Sequence, residues 1–188
     1  MDLNKLRDEA FEIAKAHGWH DEELPDETYL MLIITEIAEA VQADRKDKHA
    51  DAGLFKADVE TLDMADGYDR DVWKRDFEIY IKNTVEDELA DVVIRCLDLA
   101  GLKKIDFRYA DILLSEGARE VQVPFPKLMY MVCEEITYHG YDLTERLNDI
   151  VAGIIAYYNK KDIDIEWFIT QKMKYNKLRP YKHGNKKY

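Results

Sequence analysis

The sequence predicts an all-α protein folded as a helical bundle, and three observations carry that prediction. Eight glycines and four prolines in 188 residues are few for a fold of strands and tight turns. Apolar residues recur at helical spacing along most of the chain, the pattern of helices with one buried face. Hydrophobic residues make up 47% and aromatics 11%, which suits a full core and argues against disorder. The length fits one domain, 1–188.

Leu3, Leu6, Ala10, Ile13 and Ala14 set the apolar face of a first helix, which Gly18 can end. A second is expected from Asp26 to Arg45, with Asp26 or Thr28 as its cap. Residues 46–75 are polar and aperiodic and read as a loop with short helical pieces. A third helix is expected over residues 76–100, closed by Gly101. Within it, Thr84 followed by Asp87 and Glu88 is either a capping signal or mid-helix. A shorter helix spans about Asp106 to Leu114, and Gly117 and Val123-Pro124-Phe125-Pro126 interrupt the chain. Pro126 suits the first residue of the next helix, to about His139. Asp142 or Thr144 caps another to Tyr158, and the last runs from Asp164 to Leu178, stopping before Pro180.

A faint internal repeat accompanies this order. At an offset of 58, Leu89, Asp91, Val92 and Val93 fall on Leu147, Asp149, Ile150 and Val151. At an offset of 98, Leu30, Ile33, Ile34 and Glu36 fall on Leu128, Met131, Val132 and Glu134. The two offsets differ by 40 residues, which places extra chain between the two helices of the first half. Any two acidic amphipathic helices align comparably, so duplication and coincidence both stay open.

The net charge is −12, but Lys172 to Tyr188 holds seven basic residues and no acidic one, leaving −19 on the other 171 residues. An acidic body disfavours general nucleic-acid binding. The first residues lack a signal-peptide core, and the longest apolar runs, Tyr29 to Ile34 and Ile150 to Tyr158, are too short to span a bilayer. Cys96 and Cys133 lack metal-site spacing, so a reduced, cytoplasmic protein is expected.

Two motifs can carry chemistry: Glu36-Ile37-Ala38-Glu39 and Glu88-Leu89-Ala90-Asp91. Each sets two carboxylates at i and i+3 on one helix face, within strongly apolar surroundings. With 39 acids in 188 residues, such pairs arise by chance about eight times, mostly on solvated faces. Apolar flanks make solvation a poorer account of these two, because buried carboxylates need neutralising. Packed side by side, the helices would gather four carboxylates into a hard-oxygen site suited to Mg²⁺. No His has Glu three residues before it, which argues against di-iron chemistry.

At the basic end, Lys172, Asn176 and Arg179 share one helix face, and Lys182 follows. They read either as a polyphosphate grip or as cations that complement a helix dipole.

Glu36-x-x-Glu39 followed by Glu88-Leu89-Ala90-Asp91 resembles the signature of the all-α nucleoside triphosphate pyrophosphohydrolases, the MazG-like and dimeric dUTPase-like enzymes. Lys172-x-x-x-Asn176-x-x-Arg179, with Lys182 after it, resembles the phosphate-binding motif of the dimeric dUTPase branch. These motifs span residues 36–182. The resemblance implies that Glu36, Glu39, Glu88 and Asp91 hold Mg²⁺, or Mn²⁺, which binds the triphosphate of a (d)NTP and activates a water. Attack at the α-phosphorus would give (d)NMP and pyrophosphate, with Glu36 or Glu39 as general base. Lys172, Asn176, Arg179 and Lys182 would hold phosphate, while His17, Trp19 and His20 are candidates to stack on the base, Trp19 equally suiting core packing.

The spacer of 48 residues between Glu39 and Glu88 exceeds the family's usual one, so residues 44–82 resemble an insertion. In the second half Glu134 survives, whereas Thr137 and Arg146 replace two expected acids. One working site per chain is implied, and a homodimer, unless the duplication lets one chain complete the bundle. The competing expectation is a non-catalytic helical module with a decayed site that binds nucleotide or protein.

Overall fold

The computed structural model describes residues 1–63, 70–115, 123–185 and 187. Every regular element among them is a helix: α1 (Leu3–Ala16), α2 (Asp26–Asp44), α3 (Ala52–Asp63), α4 (Arg70–Tyr80), α5 (Val85–Lys103), α6 (Arg108–Ser115), α7 (Phe125–Thr137), α8 (Leu143–Lys160), α9 (Ile165–Lys177) and the short α10 (Lys182–Asn185). The all-α prediction holds. No helix among the described residues is long and apolar enough to cross a membrane.

α5 is the central element. Fourteen of its nineteen residues are buried, so no side of it is left for solvent, and α1, α2, α8 and α9 surround it. Leu89, Val92, Val93, Cys96 and Leu97 from α5 meet Leu3 and Ala10 of α1, Ile33 and Ile37 of α2, and Ile169 and Met173 of α9 in one core. Cys96 is a buried free thiol whose pKa burial raises.

α7 and α8 pair with each other; α7 also packs on α2, and α8 on α5 and α6. The helices matched by the sequence offsets, α2 with α7 and α5 with α8, therefore lie in direct contact.

Several boundaries differ from expectation. The helix predicted over residues 76–100 is broken at residues 81–84: its first residues close α4, and α5 starts afresh. Thr84 is the cap that starts it, extended at φ −97° and ψ 167°, its side chain accepting from the Asp87 N–H. Gly101 does not close α5. The helix continues to Lys103 and ends at Lys104, in the left-handed conformation. Gly101 serves packing instead, since a Cβ there would meet the Phe11 Cβ at 2.5 Å, so its bare backbone lets α1 lie against α5. α2 starts at Asp26 after Pro25, with no side-chain cap, and α7 starts at Phe125 with Pro126 second. Asp142 and Asp164 cap α8 and α9, Asp142 within a reciprocal capping box with Glu145.

Residues 46–75, read as mostly loop, hold α3 and most of α4. Their apolar signal is sparse: among the described residues of the segment the buried large side chains are the rings Phe55 and Trp73, joined by Phe77 just beyond it. Those rings pack edge-on or stacked on one another and reach α9, where Phe77 stacks on Tyr175 at 4.7 Å and Phe55 meets Trp167 at 5.8 Å. The segment thus buttresses the helix that carries Lys172, Asn176 and Arg179.

Candidate active site

The site forms where the start of α5 meets the middle of α2 and the end of α9. The first turn of α5 carries three consecutive buried acids, Glu86, Asp87 and Glu88. The positive end of the helix dipole favours them there. Each meets different partners. Glu86 pairs with His49 Nδ1 at 2.8 Å and accepts the Ala50 N–H at 2.9 Å. Asp87 Oδ2 accepts from the Asn83 N–H at 2.9 Å and from Lys172 Nζ at 2.7 Å, while its Oδ1 is buried without a hydrogen-bond partner. Glu88 has no ion pair among the described residues and faces a cavity.

One turn on, Asp91 faces the same cavity, and Glu36 joins from α2. One carboxylate oxygen each from Glu36, Glu88 and Asp91 can be chosen so that all three lie within 4.8 Å of one another. Glu39 lines the cavity too but is exposed and stands outside that trio. Two cations serve the cluster. Arg95 Nε donates to Glu36 at 3.0 Å, and Lys172 Nζ lies 2.9 Å from Asp91 Oδ2.

Two cations beside four carboxyl groups leave excess negative charge in a partly desolvated place, and the acids respond. Burial raises Glu88 to about 8, against the opposing pull of Lys172. Burial, then the Asp91 charge, raises Glu36 to about 7 although Arg95 works the other way. Burial also raises Asp87. Burial opposes the Lys172 charge, but Asp91 and Asp87 outweigh it and hold the ammonium above its usual pKa; Glu36 and Asp91 do the same for Arg95.

The cavity measures about 300 Å³. Its acidic wall is the trio with Glu39. Lys172, Asn176 and Arg179 line it from α9 and the turn beyond, as the shared helix face predicted. The Asn176 Oδ1 is buried and without a hydrogen-bond partner. His17, Trp19 and His183 line it as well. His17 ties this end to the basic segment: its Nε2 lies 3.1 Å from the Arg179 carbonyl, and its own carbonyl accepts the Lys182 N–H at 3.0 Å. The rings of Trp19 and His183 meet edge to face with centroids 5.1 Å apart.

Two predicted residues stand apart from the cavity lining. His20 is turned inward, 2.7 Å from Asp98 Oδ1 through its Nε2 and stacked on Tyr29. It therefore positions Asp98, which does line the cavity. Lys182 directs its ammonium toward Glu22 at 3.9 Å. Three residues were missed. Arg95 lies at i+4 from Asp91, a spacing that could have placed it on the acidic face. Asp87 reads from the sequence only as part of a capping signal. Asp98 carried no signal beyond its place on the same helix.

The trio offers only carboxylate oxygens, and the unpartnered Asp87 Oδ1 adds uncompensated polarity beside it. That donor set fits a hard divalent cation such as Mg²⁺ or Mn²⁺. Set against protein-family models, curated proteins and solved structures, the chain matches none.

Proposed function

We propose that this chain is a Mg²⁺-dependent nucleoside triphosphate pyrophosphohydrolase of the all-α, MazG-like kind, cleaving a (d)NTP to (d)NMP and pyrophosphate and serving nucleotide-pool housekeeping. The observation that carries the reading is one cavity with a trio of carboxylates on one wall and Lys172, Asn176 and Arg179 on another. A polyphosphate is the ligand class that needs both, since its charge asks for cations and a metal ion while its bridging anhydride asks for a positioned water.

Glu36, Glu88 and Asp91 are the residues that would hold the ion. When bound, it supplies charge neutralisation and Lewis acidity to a phosphate oxygen or a water. Arg179 and Lys172 offer N–H donors to phosphate oxygens, and the Asn176 amide donates alongside them. Glu39, outside the trio and at the cavity's edge, is placed to orient a water and accept its proton. Trp19, on the cavity wall, is the candidate to stack on a base. Arg95 holds Glu36 in register.

The direct packing of α2 on α7 and of α5 on α8 supports an internal duplication, in which related helices meet within one chain. In that arrangement one chain supplies both halves of a bundle that the family's homodimers build from two. Size-exclusion chromatography with light scattering separates monomer from dimer.

The test is pyrophosphate release from a panel of (d)NTPs with Mg²⁺, with Glu88→Gln as control. Release from at least one substrate, abolished by Glu88→Gln, is expected. No release from any substrate, or an unchanged Glu88→Gln rate, refutes the reading and leaves the non-catalytic binding module.

A further inference from the structure

We infer that Lys172 is a built-in counter-cation that weakens the trio's hold on a divalent ion until an anion enters the cavity, and so ties metal binding to polyphosphate binding. The inference rests on the proposed function for the identity of the ligands, and on this chain's own residues for the coupling.

Lys172 is 4% exposed. Its ammonium bridges Asp87 at 2.7 Å and Asp91 at 2.9 Å. Asp91 is at the same time one of the three residues whose oxygens gather within 4.8 Å. One carboxylate is therefore shared between an ammonium and the trio. A divalent ion at the trio meets a like charge held one carboxylate away, in a setting where burial limits screening. The ammonium cannot retreat to water, since it is buried and held by two carboxylates.

The same lysine faces the phosphate side. Asn176 and Arg179 follow it on one face of α9 and the next turn, and all three line the cavity. An ammonium has three N–H donors, and the two carboxylates use two of them. The third is left for an anion beside Asn176 and Arg179. An anion there offsets the lysine's charge and removes the penalty on the metal. By linkage the metal strengthens the anion's binding by the same factor. A lysine that only neutralised Asp87 and Asp91 for the sake of folding would produce no such dependence on an anion.

The experiment measures Mn²⁺ affinity by the paramagnetic resonance of free Mn²⁺, with and without millimolar inorganic phosphate, which chelates the ion only weakly. Lys172→Met is expected to bind Mn²⁺ tenfold tighter than wild type without phosphate. Phosphate is expected to tighten wild type at least threefold and Lys172→Met by less than half that factor. Lys172→Arg, which keeps the charge, is expected within about twofold of wild type. Where Lys172→Met does not fold, the double variant Asp87→Asn/Lys172→Met removes opposite charges together and is expected to bind Mn²⁺ at least threefold tighter than wild type. Wild-type or weaker Mn²⁺ affinity in folded Lys172→Met, or in the double variant where Lys172→Met does not fold, overturns the inference, even if wild type releases pyrophosphate. Absence of Mn²⁺ binding by every protein overturns the inference and the proposed function together.

Discussion

Glu88→Gln should make the metal-free protein more stable at alkaline pH. Glu88 is 3% exposed, belongs to the trio without an ion pair among the described residues, and burial raises it to about 8. An unfolded glutamate titrates near 4.3. Between those values the folded chain holds a proton at Glu88 that the unfolded chain has released. Stability attached to this group is thus fully present below about pH 4.3 and is lost as pH rises through about 8. At about 1.36 kcal/mol per pH unit the loss has a ceiling of roughly 5 kcal/mol, and relaxation of the site brings it to about 2 kcal/mol. Glutamine keeps the shape and has no charge to desolvate. At pH 9 without divalent ions the variant should melt about 4–8 °C above wild type, the conversion for a chain of this size. Near pH 4 the two should coincide. Mn²⁺ at pH 9 should raise wild type and leave the variant nearly unmoved. Thermal melts across pH decide this. Equal melting temperatures at pH 9, or a variant less stable there, would refute the picture of Glu88 as a desolvated acid in want of a cation.

The remaining predictions address packing and the phosphate wall. Gly101→Ala should lower stability by about 2 kcal/mol, because the new methyl strikes Phe11 across the α1–α5 contact; an unchanged melting temperature would mean α1 gives way freely. Thr84→Ala should cost about 1 kcal/mol in a denaturant titration by uncapping α5, and wild-type stability would deny the cap its role. Arg179→Ala should raise KM or lower kcat for the preferred triphosphate at an unchanged melting temperature. Wild-type kinetics would show that Arg179 touches no phosphate.

Much of the site was readable because its physics is local. Glu36 with Glu39, Glu88 with Asp91, and Lys172 with Asn176 and Arg179 each share a helix face through the 3.6-residue period alone. Apolar flanks were enough to mark the two acidic pairs as unusual. The pairings between helices were not readable. That Arg95 answers Glu36 and that Lys172 spans Asp87 and Asp91 depend on how α2 and α9 dock against α5. His20 lay in a run of polar and aromatic residues with no period, so nothing distinguished an inward ring on Asp98 from one facing a base. Residues 46–75 were misread for a related reason: α3 and α4 bury a few large rings, and a period cannot be seen in so few points. Gly101 looked like a helix stop because glycine commonly ends helices, yet its role is close approach to Phe11.

The most direct test of the central claim is the identity of the products. Phosphorus NMR of a turnover mixture containing Mg²⁺ and the preferred (d)NTP should show nucleoside monophosphate and pyrophosphate rising together in equal amounts. Nucleoside diphosphate with inorganic phosphate, or an unchanged triphosphate across the whole nucleotide panel, would contradict it.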